Sequence, residues 1–367
     1  MKMFINKMKI VIIILLAGGL PGNIHAQKTP YTAGFKVVRI VDTSRIYKSG
    51  TDTNDYLHYR PIDVDIWYPA QTYKTDTALK FKSFLDLFAG RANYYTASNA
   101  GDGLTENFAQ SFCEGFKCST PDLLLNYKTD SYKNAAPANG NFPLIIYMAS
   151  YNGMGYENFR LFENLAKKGF VTVSISSIGR YPGDMTMKNE DMMEQVYDAV
   201  SSLKSLKGSP YLDFNSIAVL SYSWGGLSGA VLSMMVPNVR CLISLDGSEF
   251  HHYNKNKDED ADFDRIKDSP SFKGSVISIP YLRLESSPLI KNAEQDSIYN
   301  FKEKLSSRHL ILKIDSSEHQ DFCCLPLVVK ESGNCSNPSF YTTISKLTGN
   351  FLEDHLKGKH AVSQTNR

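Results

Sequence analysis

The run Ser221-Tyr222-Ser223-Trp224-Gly225-Gly226 holds a serine between small residues two positions before and two after it. A serine hydroxyl is a weak nucleophile at neutral pH. It attacks a carbonyl only when a base takes its proton and an acid holds that base in the right tautomer. His319, in Ser316-Ser317-Glu318-His319, is the candidate base, and Asp246, in Asp246-Gly247, is the favoured acid. Glu285 is the rival acid. Small flanking residues let a strand and a helix approach closely around a serine at the tip of a strained turn. Gly225 fits that need, whereas Ser221 stands where the pattern usually has its first glycine. An ordinary turn with a capping serine is the alternative, but the two glycines and the apolar runs on both sides favour the nucleophile turn.

The flanking elements must place these residues together. Ile217–Leu220 reads as a buried strand, and Gly226–Met235 as a buried helix stopped by Pro237. Further strands are predicted at Phe35–Val41, Ile62–Tyr68 (ended by Pro69), Phe142–Met148, Phe170–Ile178, Val239–Leu245, Ile279–Leu284 and His309–Ile314. Helices are predicted over Phe159–Lys168, Met192–Leu206, Gln295–Leu305 and Tyr341–His355. Strands alternating with helices give an α/β fold with a mostly parallel sheet covered on both faces. Such sheets gather function at the carboxyl ends of their strands, where Ser223, Asp246 and His319 all fall. Residues 71–140 hold one predicted helix (Phe81–Ala89), an apolar patch at Leu123–Leu125 and no strand-like run, so they read as an insertion. Residues 249–275 are charge-rich and read as a second. Both are expected to fold over the active face. Tyr94, Tyr95, Phe108, Phe112 and Phe116 would line a pocket there or form the insertion's own core.

The other histidines are worse placed. His309 begins its strand, and His355 and His360 belong to the C-terminal helix or tail. His251 and His252 sit in a charged loop and read as solvated rather than metal-binding. Asp258, Asp260, Asp262 and Asp264 alternate but lack the glycine and terminal glutamate of a calcium loop. Arg180, at a strand end, would meet an anionic group or solvent. No spacing matches a metal site, and no cofactor is implied.

Lys2, Lys7 and Lys9 precede the apolar run Ile10–Leu16, which is too short to span a bilayer, and Ala26 offers a cleavage point. Residues 1–26 therefore read as a signal peptide and 27–367 as one exported domain, periplasmic or secreted, without stable membrane insertion. Its removal takes away three lysines and no acids, so the formal charge goes from +2 to −1. A near-neutral chain gives no electrostatic case for nucleic acid. In an exported protein the six cysteines permit disulfides. Spacing suggests Cys113 with Cys118, and Cys323 or Cys324 with Cys335, while Cys241 in an apolar strand reads as a buried thiol.

The chain resembles α/β-hydrolases of the platelet-activating-factor acetylhydrolase type, within the dienelactone-hydrolase-like group. The resemblance rests on Asp65-Ile66-Trp67-Tyr68-Pro69, Pro143–Tyr147, Ser221–Gly226, Leu245-Asp246-Gly247 and Ser317-Glu318-His319-Gln320-Asp321-Phe322, covering most of residues 60–325. It implies a Ser223–His319–Asp246 triad cleaving a small-molecule carboxylic ester, short acyl or acetyl, through an acyl-enzyme. The family usually carries His-Gly-x-Gly after the Pro-Leu-Ile strand, where this chain has Ala149-Ser150-Tyr151-Asn152. Oxyanion donors are backbone groups, so the N–H groups of Trp224 and Tyr151 are the expected pair. Amide or peptide hydrolysis with the same residues, and a binding protein that has lost turnover, are the alternatives.

Overall fold

The computed structural model describes residues 31–357 apart from 73–75, 177, 181–183, 251, 253–256, 274–275, 288–300 and 336–339. The predicted signal peptide lies outside the described residues. So does most of the helix expected over Gln295–Leu305, of which Phe301–Lys304 forms one 3₁₀ turn.

Five parallel pairings build the centre of the sheet. β6 (Phe142–Met148) lies between β7 (Val171–Ile175) and β8 (Leu212–Tyr222), followed outward by β9 (Val239–Leu245), β10 (Tyr281–Ser286) and β11 (His309–Ile314). On the other side β2 (Tyr59–Gln71) pairs antiparallel with β7 and with β1 (Thr32–Ile46). Both faces are covered, so the central strands are apolar almost throughout rather than alternating with polar residues. Ile145 and Tyr147 join one core, with Phe159, Phe162 and Leu165 of α4 (Phe159–Lys167) and Ile344 and Leu352 of α9 (Phe340–Leu356). Leu144, Ile146 and Met148 join the other, with Val196 and Leu203 of α5 (Asn189–Leu206) and Leu227 and Val231 of α6 (Gly225–Met235).

The segment 71–140 departs from its reading as strand-free. It contributes β3 (Ala78–Lys80), β4 (Lys128–Lys133) and β5 (Ala136–Pro137) as well as α1 (Phe81–Thr96), α2 (Leu104–Phe116) and α3 (Pro121–Leu125). The inward residues of β4 are Thr129 and Ser131, so it carries no apolar alternation for a sequence to display. They are satisfied by hydrogen bonds instead. Thr129 Oγ1 donates to the Leu79 carbonyl at 2.8 Å, and Ser131 Oγ accepts from Trp67 Nε1 at 3.0 Å. Pro69 does not end β2 either: it loses only a donor, and its carbonyl still accepts from Ala138 N–H at 2.9 Å. Phe108 packs against both Phe88 and Phe112, so aromatics of this segment make a small core of their own. The alternating aspartates belong to a helix, α7 (Lys257–Asp268), rather than a solvated loop. Asp258, Glu259 and Asp260 sit in its first turn, where the helix dipole favours acids, and Phe263 and Ile266 are buried.

The cysteine pairing is also corrected. Cys118 bonds Cys335 across a separation of 217 residues, while Cys113, Cys241, Cys323 and Cys324 are buried free thiols. Neither expected local loop closes, because packing decides the partner. Cys118 follows the end of α2, and Cys335 follows α8 (Leu325–Ser332), a helix that packs against α2.

Peptide mapping under non-reducing conditions should recover one linked pair containing Cys118 and Cys335. The double variant Cys118→Ala/Cys335→Ala should lose about 2–4 kcal/mol of stability in urea unfolding. A mapped Cys113–Cys118 or Cys323–Cys335 peptide would overturn the pairing.

Candidate active site

β8 and β9 are in parallel register with Tyr222 opposite Leu245, so the residues that follow each strand emerge side by side. Those residues are Ser223 and Asp246, and both hold positive φ, 54° and 46°. Such φ values are uncommon for non-glycine residues and persist only where surroundings enforce them. At Ser223 the enforcement is visible. Its N–H donates to the Leu245 carbonyl at 3.2 Å, and its carbonyl accepts from the N–H groups of Gly226 and Ser248, both at 2.9 Å. A Cβ on Gly225 would lie 2.1 Å from the Met148 carbonyl oxygen, and one on Gly226 would lie 2.0 Å from Glu249 Oε2. Glycine is therefore sterically required at both.

The departure at Ser221 is resolved on the helix side. Ser221 is fully buried and donates its hydroxyl to the Ile243 carbonyl at 3.0 Å. The residue facing it is Gly229 of α6, whose Cβ position would lie 3.0 Å from Ser221 Cβ. The small residue has moved from the strand to the helix, and the close approach is kept.

The structure brings Ser223, His319 and Asp246 into one line. Ser223 Oγ lies 2.9 Å from His319 Nε2, and His319 Nδ1 lies 2.7 Å from Asp246 Oδ2. Asp246 Oδ1 accepts from the Ser286 N–H at 2.7 Å. Burial alone would raise the Asp246 carboxyl. The His319 hydrogen bond and charge, the Ser286 N–H and the Arg283 charge outweigh it and hold the carboxyl below its ordinary value. An ionised carboxylate only accepts, so the shared hydrogen sits on Nδ1 and Nε2 is left to accept from the serine hydroxyl. Tyr222 stacks on the imidazole at 5.1 Å and 22°, fixing its plane. The His319 side chain is still 50% exposed, so a substrate can reach it.

Glu285 is not in this line. Its Oε2 accepts from Arg283 Nε at 2.8 Å within the same strand. His309 is exposed at the start of β11, and His252 lies 2.7 Å from Asp264. Among the described residues no group of three or more His, Cys, Asp or Glu could hold a metal ion. No described helix is long and apolar enough to cross a membrane. The Arg180 side chain lies 3.7 Å from Glu194.

Two buried acids were not anticipated from the sequence. Glu157 shapes the loop after β6, accepting from the Ser150 N–H at 2.8 Å, the Ser150 hydroxyl at 2.5 Å and the Tyr147 hydroxyl at 2.8 Å. Burial pushes its carboxyl up, and those donors only partly offset the shift. The next residues are Tyr151, whose ring meets Trp224 edge-on at 6.0 Å, and Asn152, with φ of 49° where the family motif has its second glycine. Asparagine is among the few residues that tolerate that conformation. Glu249 is wedged beneath the serine turn and held by Arg283 Nη1 at 2.9 Å and the Tyr281 hydroxyl at 2.6 Å. The same Arg283 nitrogen donates to the Gly247 carbonyl at 2.9 Å, tying down the loop that carries Asp246. An arginine inside the otherwise apolar run Tyr281–Leu284 was the available signal, since a buried cation needs an acid nearby. Glu157 gave none.

No protein-family model matches the chain, and no curated protein matches it in sequence. Among solved structures it is similar to a ferulic acid esterase from Streptomyces cinnamoneus, with a TM-score of 0.64 at 16% identity, over 94% of this chain and 96% of that one. At that identity the likeness is one of architecture. The protein has the α/β-hydrolase fold, as its motifs imply. The likeness does not single out the platelet-activating-factor acetylhydrolase or dienelactone-hydrolase branch.

The lowered Asp246 carboxyl carries a pH signature. A group depressed in the folded state contributes stability that is complete above its unfolded pKa, about 3.9, and is lost as pH falls through the folded value. The stability gap between wild type and Asp246→Asn, read by urea unfolding, should therefore be full at about pH 5 and above and shrink toward pH 2.5. A gap that stays constant across that range would contradict the assigned ionisation.

Proposed function

We propose that the protein is a serine hydrolase of carboxylic esters with Ser223 as nucleophile, His319 as general base and acid, and Asp246 as the carboxylate that orients the imidazole. The observation that carries this is the continuous hydrogen-bonded line from Ser223 Oγ through His319 to Asp246 Oδ2, with bonds of 2.9 and 2.7 Å. His319 Nε2 takes the hydroxyl proton as Oγ attacks the acyl carbon, and Asp246 stabilises the imidazolium that forms. The proton then passes to the leaving alkoxide, and the ester C–O bond breaks to leave an acyl group on Ser223. Water then attacks the acyl carbon while His319 takes its proton, and His319 returns that proton to Ser223 Oγ as the acyl C–Oγ bond breaks and the acid leaves. The negative oxygen formed in each attack would be held by the backbone N–H groups of Trp224, at the entry to α6, and Tyr151. A helix N-terminus favours negative charge. Asn152 in the left-handed conformation supports a preserved path for the oxyanion loop, which argues against a fold retained only for binding.

The name of the solved neighbour supports ester rather than amide chemistry, and a short acyl ester is the proposed substrate class. The Cys118–Cys335 disulfide supports the exported location predicted from residues 1–26.

Protein beginning at Gln27 should turn over p-nitrophenyl acetate and butyrate and take a fluorophosphonate label on Ser223. Ser223→Ala should abolish both. Asp246→Asn should lower kcat by about 10³–10⁴ by leaving the imidazole in the wrong tautomer, whereas Glu285→Gln should stay within a few-fold of wild type. Folded wild type that neither turns over nor labels would sink the proposal. A large loss in Glu285→Gln with little in Asp246→Asn would reassign the acid.

A further inference from the structure

The peptide unit joining Ala149 to Ser150, just past β6, is held at both ends by buried side chains. Its carbonyl, on fully buried Ala149, accepts from Gln195 Nε2 of α5 at 3.0 Å. Its N–H, on Ser150, donates to Glu157 Oε1 at 2.8 Å. The next unit, Ser150 to Tyr151, carries the N–H proposed to meet the oxyanion. Peptides are planar and only two dihedrals separate neighbours, so fixing the first unit restricts the second. The carbonyl of that second unit accepts from Gly153 N–H at 2.7 Å, closing a tight turn. The Tyr151 N–H donates to no group among the described residues, as an oxyanion donor must.

Gln195 also reaches the other side of the hole. A carbonyl only accepts, so the amide nitrogen faces Ala149 and the amide oxygen faces Ser228, whose hydroxyl donates to it at 2.5 Å. Ser228 is fully buried on α6, about one turn beyond Trp224, which carries the other proposed donor. Gln195 therefore connects the helix that presents one donor to the loop that presents the other. Helix and loop are already in contact: a Cβ on Gly225 would lie 2.7 Å from the Ala149 carbonyl oxygen. Glu157 is bonded as an acceptor throughout. Ser150 Oγ and the Tyr147 hydroxyl donate to it at 2.5 and 2.8 Å. The Tyr147 oxygen accepts from Asn158 Nδ2 at 2.9 Å, which leaves its proton for the carboxylate.

Resting on the esterase reading and its oxyanion donors, we propose that Gln195 and Glu157 are positioning residues of the oxyanion hole. Together they fix the Ala149–Ser150 peptide and so aim the Tyr151 N–H at the oxygen that becomes negative. They act through the backbone and not on the substrate. Aim matters most once charge develops, so losing either residue lowers kcat and leaves KM nearly unchanged.

The test compares Gln195→Met, Glu157→Leu and Glu157→Gln with wild type on p-nitrophenyl butyrate, with urea unfolding to confirm that each is folded. Gln195→Met and Glu157→Leu keep the size and remove the bonds. Each should lower kcat by about 10–10²-fold, with KM held within about threefold. Hexyl trifluoromethyl ketone, which adds to the serine and leaves a negative oxygen, should show a Ki raised by a similar factor. Glu157→Gln still accepts from the Ser150 N–H, so its kcat should stay within about fivefold of wild type. Should Gln195→Met or Glu157→Leu not fold, Ser228→Ala decides. It frees the α6 end of Gln195 and should lower kcat about threefold to tenfold at unchanged KM. A folded Gln195→Met with wild-type kcat would overturn the proposal, as would a loss carried by KM with the ketone Ki unmoved. Where Ser228→Ala decides, unaltered kcat and Ki have the same force. Failure of the esterase reading is a separate result, seen as wild type that neither turns over the ester nor takes the fluorophosphonate label.

Discussion

The whole carboxyl edge of the sheet depends on holding Ser223 at a φ of 54°. Left to itself a serine leaves that region, so the neighbours must supply the restraint. They do so from three directions: the Leu245 carbonyl on β9, the Ser248 N–H beyond the Asp246 loop, and the Gly226 N–H of the helix itself. Each restraint also fixes a neighbour. The bond to Leu245 sets the height of Asp246 beside Ser223, and the approach of Gly225 to the Met148 carbonyl sets where the loop after β6 begins. Serine, acid and oxyanion loop are therefore positioned by one steric problem and its solution.

Buried arginines carry that restraint outward. Arg283 joins Glu249, Gly247 and Glu285, Arg91 joins the segment 71–140 to Asp65 of β2, and Arg60 joins β2 to Asp198 of α5. Removing one partner of such a pair leaves a charge in the interior and typically costs about 3–5 kcal/mol, so their importance lies in what their loss exposes. Arginine suits these positions because its planar fork makes several fixed bonds at once and it stays charged when buried. Arg283 uses that fork to connect the floor of the serine turn to the loop carrying Asp246.

The central strands were legible in the sequence because parallel strands covered on both faces must be apolar, and Val239–Leu245 and His309–Ile314 matched residue for residue. The proximity of Ser223, Asp246 and His319 was legible for the same reason, since each follows a recognisable strand. What was hidden had no apolar signature. β4 buries Thr129 and Ser131 through hydrogen bonds, and its polar sequence resembles a loop. Helix α7 has too few apolar residues to stand out against its aspartates. The partner of Cys118 depends on packing between α2 and α8, which spacing along the chain cannot express. Ser221 departs from the glycine of the sequence pattern, and its compensation at Gly229 is visible only where strand and helix face each other.

The Cys118–Cys335 bond gives the molecule a topology as well as a clamp. Every strand from β4 to β11, and each residue of the Ser223–His319–Asp246 line, lies inside the covalent ring it closes. A protease that cuts anywhere in that ring opens a circle instead of severing a thread. The two ends stay in one molecule, and the pieces of the site remain at high effective concentration for one another. For a protein proposed to work outside the cell, a single bond thus converts a chain break from fragmentation into a nick.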